Sequence, residues 1–411
     1  MKNKTIFTGF GPNITKQDVK IACGLLFTPW KWKKGESTNK VETWLKEYFT
    51  SKFSFTFDSG RTSLHYGLKA LGVGEGDEVL VQAYTCMVVS NAITWTGAKP
   101  VYVDVEQDFN MSVENLNTKI TQKTKVIIIQ HTFGKPANLE SILELAKQHN
   151  IKIIEDCAHA LGTRYNGKLL GTFGDIGMFS FGSDKVISCV RGGGLITNDP
   201  TVADKLKESQ TRLPDSRLLK IKQHLLHIIL FSFGKSIYHL GVGKWLLGLT
   251  RKLHITAAII DPPEKHGKQP IFYPTLLPNA LAKILLNQIA NLEKFNKHRQ
   301  EIAKLYHDKI DNQKIIKPEW DDGSIWIRYT VLVDNSVKLH TEAKKQGVLL
   351  GNWYNAAIAP CDVDISKSGY KTNSCPNAER LAKMSVNLPT NKNITTKNAE
   401  KIINLINNYG G

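Results

Sequence analysis

Between about residues 55 and 200 the hydrophobic pattern keeps switching between two periods, and this restricts the chain to few architectures. "SGRTSLHYGLKALG" carries Leu64, Leu68 and Leu71 at helical spacing. "DEVLVQAY" then reads as a strand, "CMVVSNAITWTG" as a helix and "KPVYVDV" as a strand again. "KVIIIQHTFG" has the unbroken apolar run of a strand buried on both faces, "ANLESILELAKQHN" reads as a helix, and "IKIIEDCAHA" as a further strand. Buried strands that return through helices predict an α/β fold with a large, mostly parallel sheet covered on both faces. Ligand sites in such sheets gather at the carboxyl ends of the strands.

Outside this stretch the pattern changes. A chain of 411 residues is expected to divide its core between two domains. We place the large domain at 1–265 and a long helix with a smaller C-terminal α+β domain at 266–411. From Ser216 to Ile260 there is no Asp or Glu, while basic residues sit among Leu, Ile, Phe and Trp. This 215–260 segment reads as a basic, apolar insertion, and its longest apolar run, "LLHIILFSF", is short of the roughly 20 residues that span a bilayer. "DPPEKHGKQP" reads as a linker by composition, followed by one long helix, "NALAKILLNQIANLEKFNKHRQEIAKLYHDKI".

Charge and cysteine usage narrow the partners. The formal charge of +17 points to an anionic partner, and with no recognisable nucleic-acid module, lipid or a phosphorylated substrate ranks ahead of nucleic acid. The six cysteines form no C-x-x-C pair, so we expect reduced thiols in a cytoplasmic protein and no structural metal. The N-terminal residues lack the apolar core of a secretory signal. "GVGEGDE" at 72–78 follows a helix and precedes a strand, the reverse of a dinucleotide-binding turn, and reads as a helix cap and turn.

Four features bear chemistry. "DSGRTSL" places Ser59, Gly60, Arg61 and Thr62 at a helix start, where free amides, hydroxyls and a guanidinium suit a phosphate; a plain Asp or Ser cap is the competing reading. "IIEDCAHA" ends a buried strand in Glu155 and Asp156, with His159 three residues on. Such an Asp can pair with a protonated ring nitrogen, or merely cap a helix. Lys185 follows the strand "FSFGS"; in a dry pocket such an amine becomes nucleophilic, whereas most lysines after a turn are solvated. Ser180 and Ser183 lie just before it, and Gly192 to Gly194 permit close backbone approach. Phosphate cradle, ring-nitrogen acid and Schiff-base lysine are together the fixtures of a pyridoxal phosphate (PLP) site.

In these stretches, and in "NAITWTGAKPVYVDV", "IIEDCAHALGTRYNGKLLGTFGDIGMFSF", "GGGLITND" and "CPNAERLAKMSVNLP", the sequence resembles the DegT/DnrJ/StrS family of PLP-dependent sugar aminotransferases. The resemblance implies the aspartate aminotransferase type of fold (fold type I), a homodimer, and transfer of an amino group from glutamate to a keto-sugar. It makes Lys185 the catalytic, cofactor-bonding lysine and Asp156 the ring-nitrogen partner, with His159 at the phenolic oxygen. Ser180 and the amides of Gly60 and Arg61 would hold the phosphate, with Thr62 beside them. Relatives with histidine in place of the lysine are dehydratases, so Lys185 argues against that branch.

Departures from the family pattern also matter. Arg61 replaces a usual threonine, and Cys86 stands where an aromatic often stacks on the ring, leaving Tyr84 as the nearby substitute. The "GYNxRM" segment, which crosses the dimer interface in the family, reads "FYPTLL" here, and the histidine-bearing loop near the C-terminus reads "NWYNAAIAP". The acid-free segment, near 220–255, has the make-up of a helix lying on an anionic membrane surface, or of a core-facing insertion with solvated lysines. A PLP enzyme acting on a small amino acid or cyclitol, and a non-catalytic regulatory relative, are the other function classes.

Overall fold

The alternating pattern folds into one seven-stranded sheet in the computed structural model, which describes residues 4–411. Its strands are β1 (Phe53–Phe57), β2 (Glu78–Gln82), β3 (Lys99–Val103), β4 (Thr124–Gln130), β5 (Lys152–Asp156), β6 (Ile176–Ser180) and β7 (Gly193–Thr197). They lie in the order β1-β7-β6-β5-β4-β2-β3. β7 runs antiparallel to both neighbours, and every other adjacent pair is parallel. Val126 to Ile129 of β4 are fully buried, as a central strand covered on both faces requires. The chain has the expected α/β fold with a mostly parallel sheet.

Helices cover the sheet. The ones that matter below are α1 (Lys16–Leu26), α2 (Gly60–Ala70), α3 (Met87–Thr94), α4 (Leu218–Ser236), α5 (Val242–Lys252), α6 (Asn279–Ile289) and α7 (Leu292–Lys309). α2 begins directly after β1 because Ser59 caps it, its Oγ accepting the Thr62 N–H at 3.3 Å. The segment 72–78 is the helix exit and turn expected, with Gly72 and Gly76 at φ +82° and +88°.

The sequence pattern predicts one helix over 279–310, but the chain bends between α6 and α7. Asn291 turns its side-chain amide back onto the Asn287 carbonyl at 2.8 Å, and its backbone N–H takes Gln288 O at 3.0 Å, which tightens and ends the turn. The supposed linker is also an anchored element. Residues Pro262–His266 form a 3-10 turn with an Asp261–Glu264 capping box, and Glu264 is completely buried. Its composition misleads because each acid has a basic partner elsewhere in the chain.

A second hydrophobic core lies in the C-terminal part. There β8 (Arg328–Leu332) pairs antiparallel with β9 (Ser385–Pro389), and Tyr306, Val331, Leu339, Val386 and Ile402 pack together. The acid-free insertion does not stand apart: α4 packs against α1, α5 and α6. No helix among the described residues is long and apolar enough to cross a membrane.

Candidate functional site

A cavity of about 540 Å³ opens at the carboxyl ends of β5 and β6. The N-terminus of α2, residues 349–355 and the insertion close its other sides.

The turn after β6 carries Lys185 into this cavity, its N–H donating to Gly182 O at 3.2 Å. The Nζ lies 5.3 Å from the ring centroid of Trp353. Burial pushes the ammonium pKa below its ordinary value; Arg328 adds to that shift, while Asp156 and Cys86 oppose it. Lys185 is thus a partly buried amine with weakened hold on its proton.

Asp156 is the last residue of β5, buried between β4 and β6, with Oδ1 accepting the Ala158 N–H at 3.0 Å. Burial raises its pKa, against the pull of that amide and of Lys185. His159 is sandwiched between the rings of Phe133 and Trp353. Its Nδ1 accepts the Phe133 N–H at 3.4 Å and its Nε2 faces the Tyr354 hydroxyl at 3.4 Å. Burial holds its pKa well below the usual range, so the ring is neutral and its proton sits on Nε2.

The approach of α2 to β6 depends on Gly60. A Cβ there would lie 2.7 Å from Ser180 Cβ and 2.8 Å from its Oγ. The first-turn amides of Gly60 and Arg61 have no acceptor within the helix and open beside Ser180. This bare cradle, with Lys185 and Asp156 lining the same cavity, fits PLP: Gly60, Arg61 N–H and Ser180 suit its phosphate, Asp156 its ring nitrogen and Lys185 its carbonyl.

Of the residues singled out from sequence, Gly60, Arg61, Cys86, Asp156, His159, Ser180 and Lys185 all line the cavity. Thr62 and Tyr84 do not. The Thr62 hydroxyl is consumed by Asp58 Oδ1 at 2.6 Å and the Ser59 hydroxyl at 2.9 Å. Tyr84 is fully buried, its hydroxyl bonded to Trp353 O and Ser385 Oγ at 3.0 Å each, so it offers no face to the cavity. The Arg61 guanidinium is not a free cation either. It pairs with Glu264 and donates to Ile259 O at 2.7 Å, so only its backbone amide remains for an anion. The Ser183 hydroxyl meets His227 Nε2 at 3.3 Å.

Sequence reasoning missed Arg328, Trp353 and Tyr354. The Arg328 guanidinium stacks 3.6 Å from the Trp353 ring centroid, donates to Asn387 Oδ1 at 3.2 Å and stands 4.0 Å from Asp184. Its signal was a lone charge inside the apolar strand "IWIRYTVLVD". His131, Glu155 and Cys157 lie close enough together to suggest a metal, but the first two are already committed. Glu155 accepts the N–H groups of Gly171, Phe173 and Gly174, and His131 joins Glu155 through Nε2 and the Ala137 N–H through Nδ1. Glu155 holds a loop; it is Asp156 that faces the cavity.

Comparison with known proteins identifies the family and the fold. The model of the DegT/DnrJ/EryC1/StrS aminotransferase family matches residues 13–223 and 265–407. A GDP-perosamine synthase of Escherichia coli O157:H7 is 41% identical over 197 residues, which span 48% of this chain and 54% of that relative. A GDP-perosamine synthase of Vibrio cholerae is 24% identical over 97% of this chain and 98% of its own length. In fold, the chain resembles NtdA of Bacillus subtilis, solved with bound cofactor PMP, with a TM-score of 0.73 at 20% identity, over 99% of this chain and 86% of that one.

Proposed function

This chain belongs to the DegT/DnrJ/EryC1/StrS aminotransferase family, and from that premise we propose that it moves an amino group from glutamate to a keto-sugar carried on a nucleotide or a lipid, for cell-surface polysaccharide. The observation that carries this reading is that Lys185 and the buried Asp156 line one cavity beside the Gly60–Ser180 cradle. Two relatives named GDP-perosamine synthase support a nucleotide-linked sugar as the acceptor.

When bound, PLP supplies the electron sink that stabilises a carbanion at the amino-bearing carbon. The chain's own residues do the rest. Lys185 would hold the cofactor through Nζ, and the same Nζ, its proton affinity lowered by burial, would take the donor's α-proton and later deliver one to the acceptor carbon. Asp156 would keep a proton on the cofactor's ring nitrogen, and the neutral His159, with its proton on Nε2, would orient the opposite edge. The Trp353 ring lies 5.3 Å from the amine, with Tyr354 stacked beside it. The test is a single turnover: purified protein mixed with glutamate should release one equivalent of 2-oxoglutarate per site. A small amino acid or cyclitol as the only amine partner, or no 2-oxoglutarate at all, would defeat the reading in favour of the other two classes.

We further propose that the enzyme acts as a homodimer in the reducing cytoplasm, resting against an anionic membrane. All six cysteines are unpaired, which supports the compartment. Leu219, Leu240, Val242, Trp245 and Leu253 on or beside α4 and α5 are exposed among Lys244, Arg251 and Lys252, which supports a face of amphipathic, basic character. Flotation with vesicles containing anionic lipid should carry the protein, and Trp245→Glu should release it; sedimentation analysis should give twice the 46.0 kDa chain mass.

A further inference from the structure

The family model stops at residue 223 and resumes at 265, yet the intervening residues form a wall of the cavity. His224, His227, Phe231, Thr256 and Ile259 all face it. This wall is held from below by the two arginines near the cradle. Arg61 binds Ile259 O and Glu264, and Arg191 binds Asp261 Oδ2 at 3.2 Å. Asn91 adds a bond from Nδ2 to Glu264 O at 2.9 Å. The arginine at 61 that departs from the family pattern is therefore what fastens the segment the family model does not match.

The wall carries buried polar atoms without partners. His224 Nδ1, His227 Nδ1, Thr256 Oγ1 and Arg191 Nη2 make no hydrogen bond among the described residues, although His224, His227 and Thr256 are more than nine-tenths buried. Native proteins leave few such atoms, because each costs the desolvation of a polar group with no return. Four in side chains that line one cavity suit a polar ligand there. His224 is held neutral by burial and by neighbouring Arg191, His227 and Lys220, so it and the Thr256 hydroxyl match uncharged hydroxyls. The Arg191 N–H matches an anionic oxygen. Phe231, Ala257 and Ile259 supply apolar surface that suits the face of a sugar ring.

We propose that residues 224–260 and Arg191 form the acceptor subsite, reading the hydroxyls and phosphate oxygens of a phosphate-linked sugar from within the same chain. This rests on the transamination reading above. The phosphate belongs either to a nucleoside diphosphate or to a prenyl diphosphate.

The test uses the holoenzyme with Thr256→Val and His224→Phe. Donor release of 2-oxoglutarate from glutamate is measured first; the reverse acceptor half is then read with GDP-perosamine and with an amino sugar on a prenyl diphosphate. We expect the donor half within twofold of wild type in both variants, and kcat/KM for whichever sugar arm is accepted reduced about tenfold per lost hydrogen bond. Without ligand, Thr256→Val should melt no lower than wild type, since it removes an unsatisfied hydroxyl; a merely structural Thr256 predicts a lower Tm. Equal losses in both halves, or unchanged sugar kinetics, overturn the subsite. Refusal of both sugar arms by a wild type that processes glutamate overturns it as well, while failure of the glutamate half defeats the underlying reading instead.

Discussion

Gly60→Ala is the sharpest perturbation of the cofactor cradle. The added methyl would sit 2.7 Å from Ser180 Cβ, 2.8 Å from its Oγ and 3.3 Å from its Cα, the last being backbone that cannot rotate away. Relief requires the start of α2 to retreat from β6 by about 0.7 Å, the shortfall from an ordinary 3.4 Å contact. Overpacking of this kind costs about 1–3 kcal/mol. The same retreat moves the Gly60 and Arg61 amides off the phosphate, and one lost charge-assisted bond is worth about 1.5–3 kcal/mol, or roughly 10–100-fold in affinity. Titration of apoprotein with PLP, followed by its visible absorbance, should therefore show a Kd raised by about 10–100-fold, with Tm lowered by only a few degrees. The preceding helix position offers a control: Ser59→Ala removes the Thr62 cap and should cost about 1 kcal/mol of stability. Unchanged PLP affinity in Gly60→Ala would refute the assignment of the cradle.

Other outcomes follow from the buried charges. Glu264→Gln leaves the Arg61 cation buried without its partner and should cost about 3–5 kcal/mol, lowering Tm by about 3–6 °C in calorimetry. Arg328→Met removes a positive neighbour that depresses the Lys185 pKa, so the pH profile of PLP uptake by apoprotein should shift to higher pH; a shift downward would contradict the coupling. His65 and His227 have pKa values pushed down to about 4 by burial, against about 6.5 when unfolded. Their folded-state values are depressed, so the stability they contribute is full above pH 6.5 and lost as pH falls toward 4. Each accounts for on the order of 3 kcal/mol, readable as a Tm that declines across that window and declines less in His65→Gln.

What the sequence disclosed was local. The strand carrying Asp156 and the turn carrying Lys185 stand out because an acid and a lysine at the ends of apolar runs, taken together with the helix start at Gly60, point to one site, although each alone has a bland reading as a cap or a solvated lysine. The sheet was legible for the same reason, its period surviving within each short segment. What stayed hidden depended on distant partners. Arg61 resembles a phosphate ligand until its partner is known to be Glu264, 203 positions away, and the charged turn that reads as a linker is the anchor of a cavity wall. Thr62 and Tyr84 sit beside site residues in sequence, but Asp58 takes the hydroxyl of one and Ser385 that of the other. The bend at Asn291 likewise follows from a side chain folding back on its own helix, which periodicity does not register.

The most direct test of the central claim is the visible absorption spectrum of the purified protein before and after glutamate, followed by borohydride reduction and peptide mapping. The account predicts a yellow protein whose band shifts on adding glutamate, with the reduced cofactor recovered on Lys185 and on no other lysine, and no such band change in Lys185→Ala. A protein that takes up no PLP, or one that carries it on a different lysine, would contradict it.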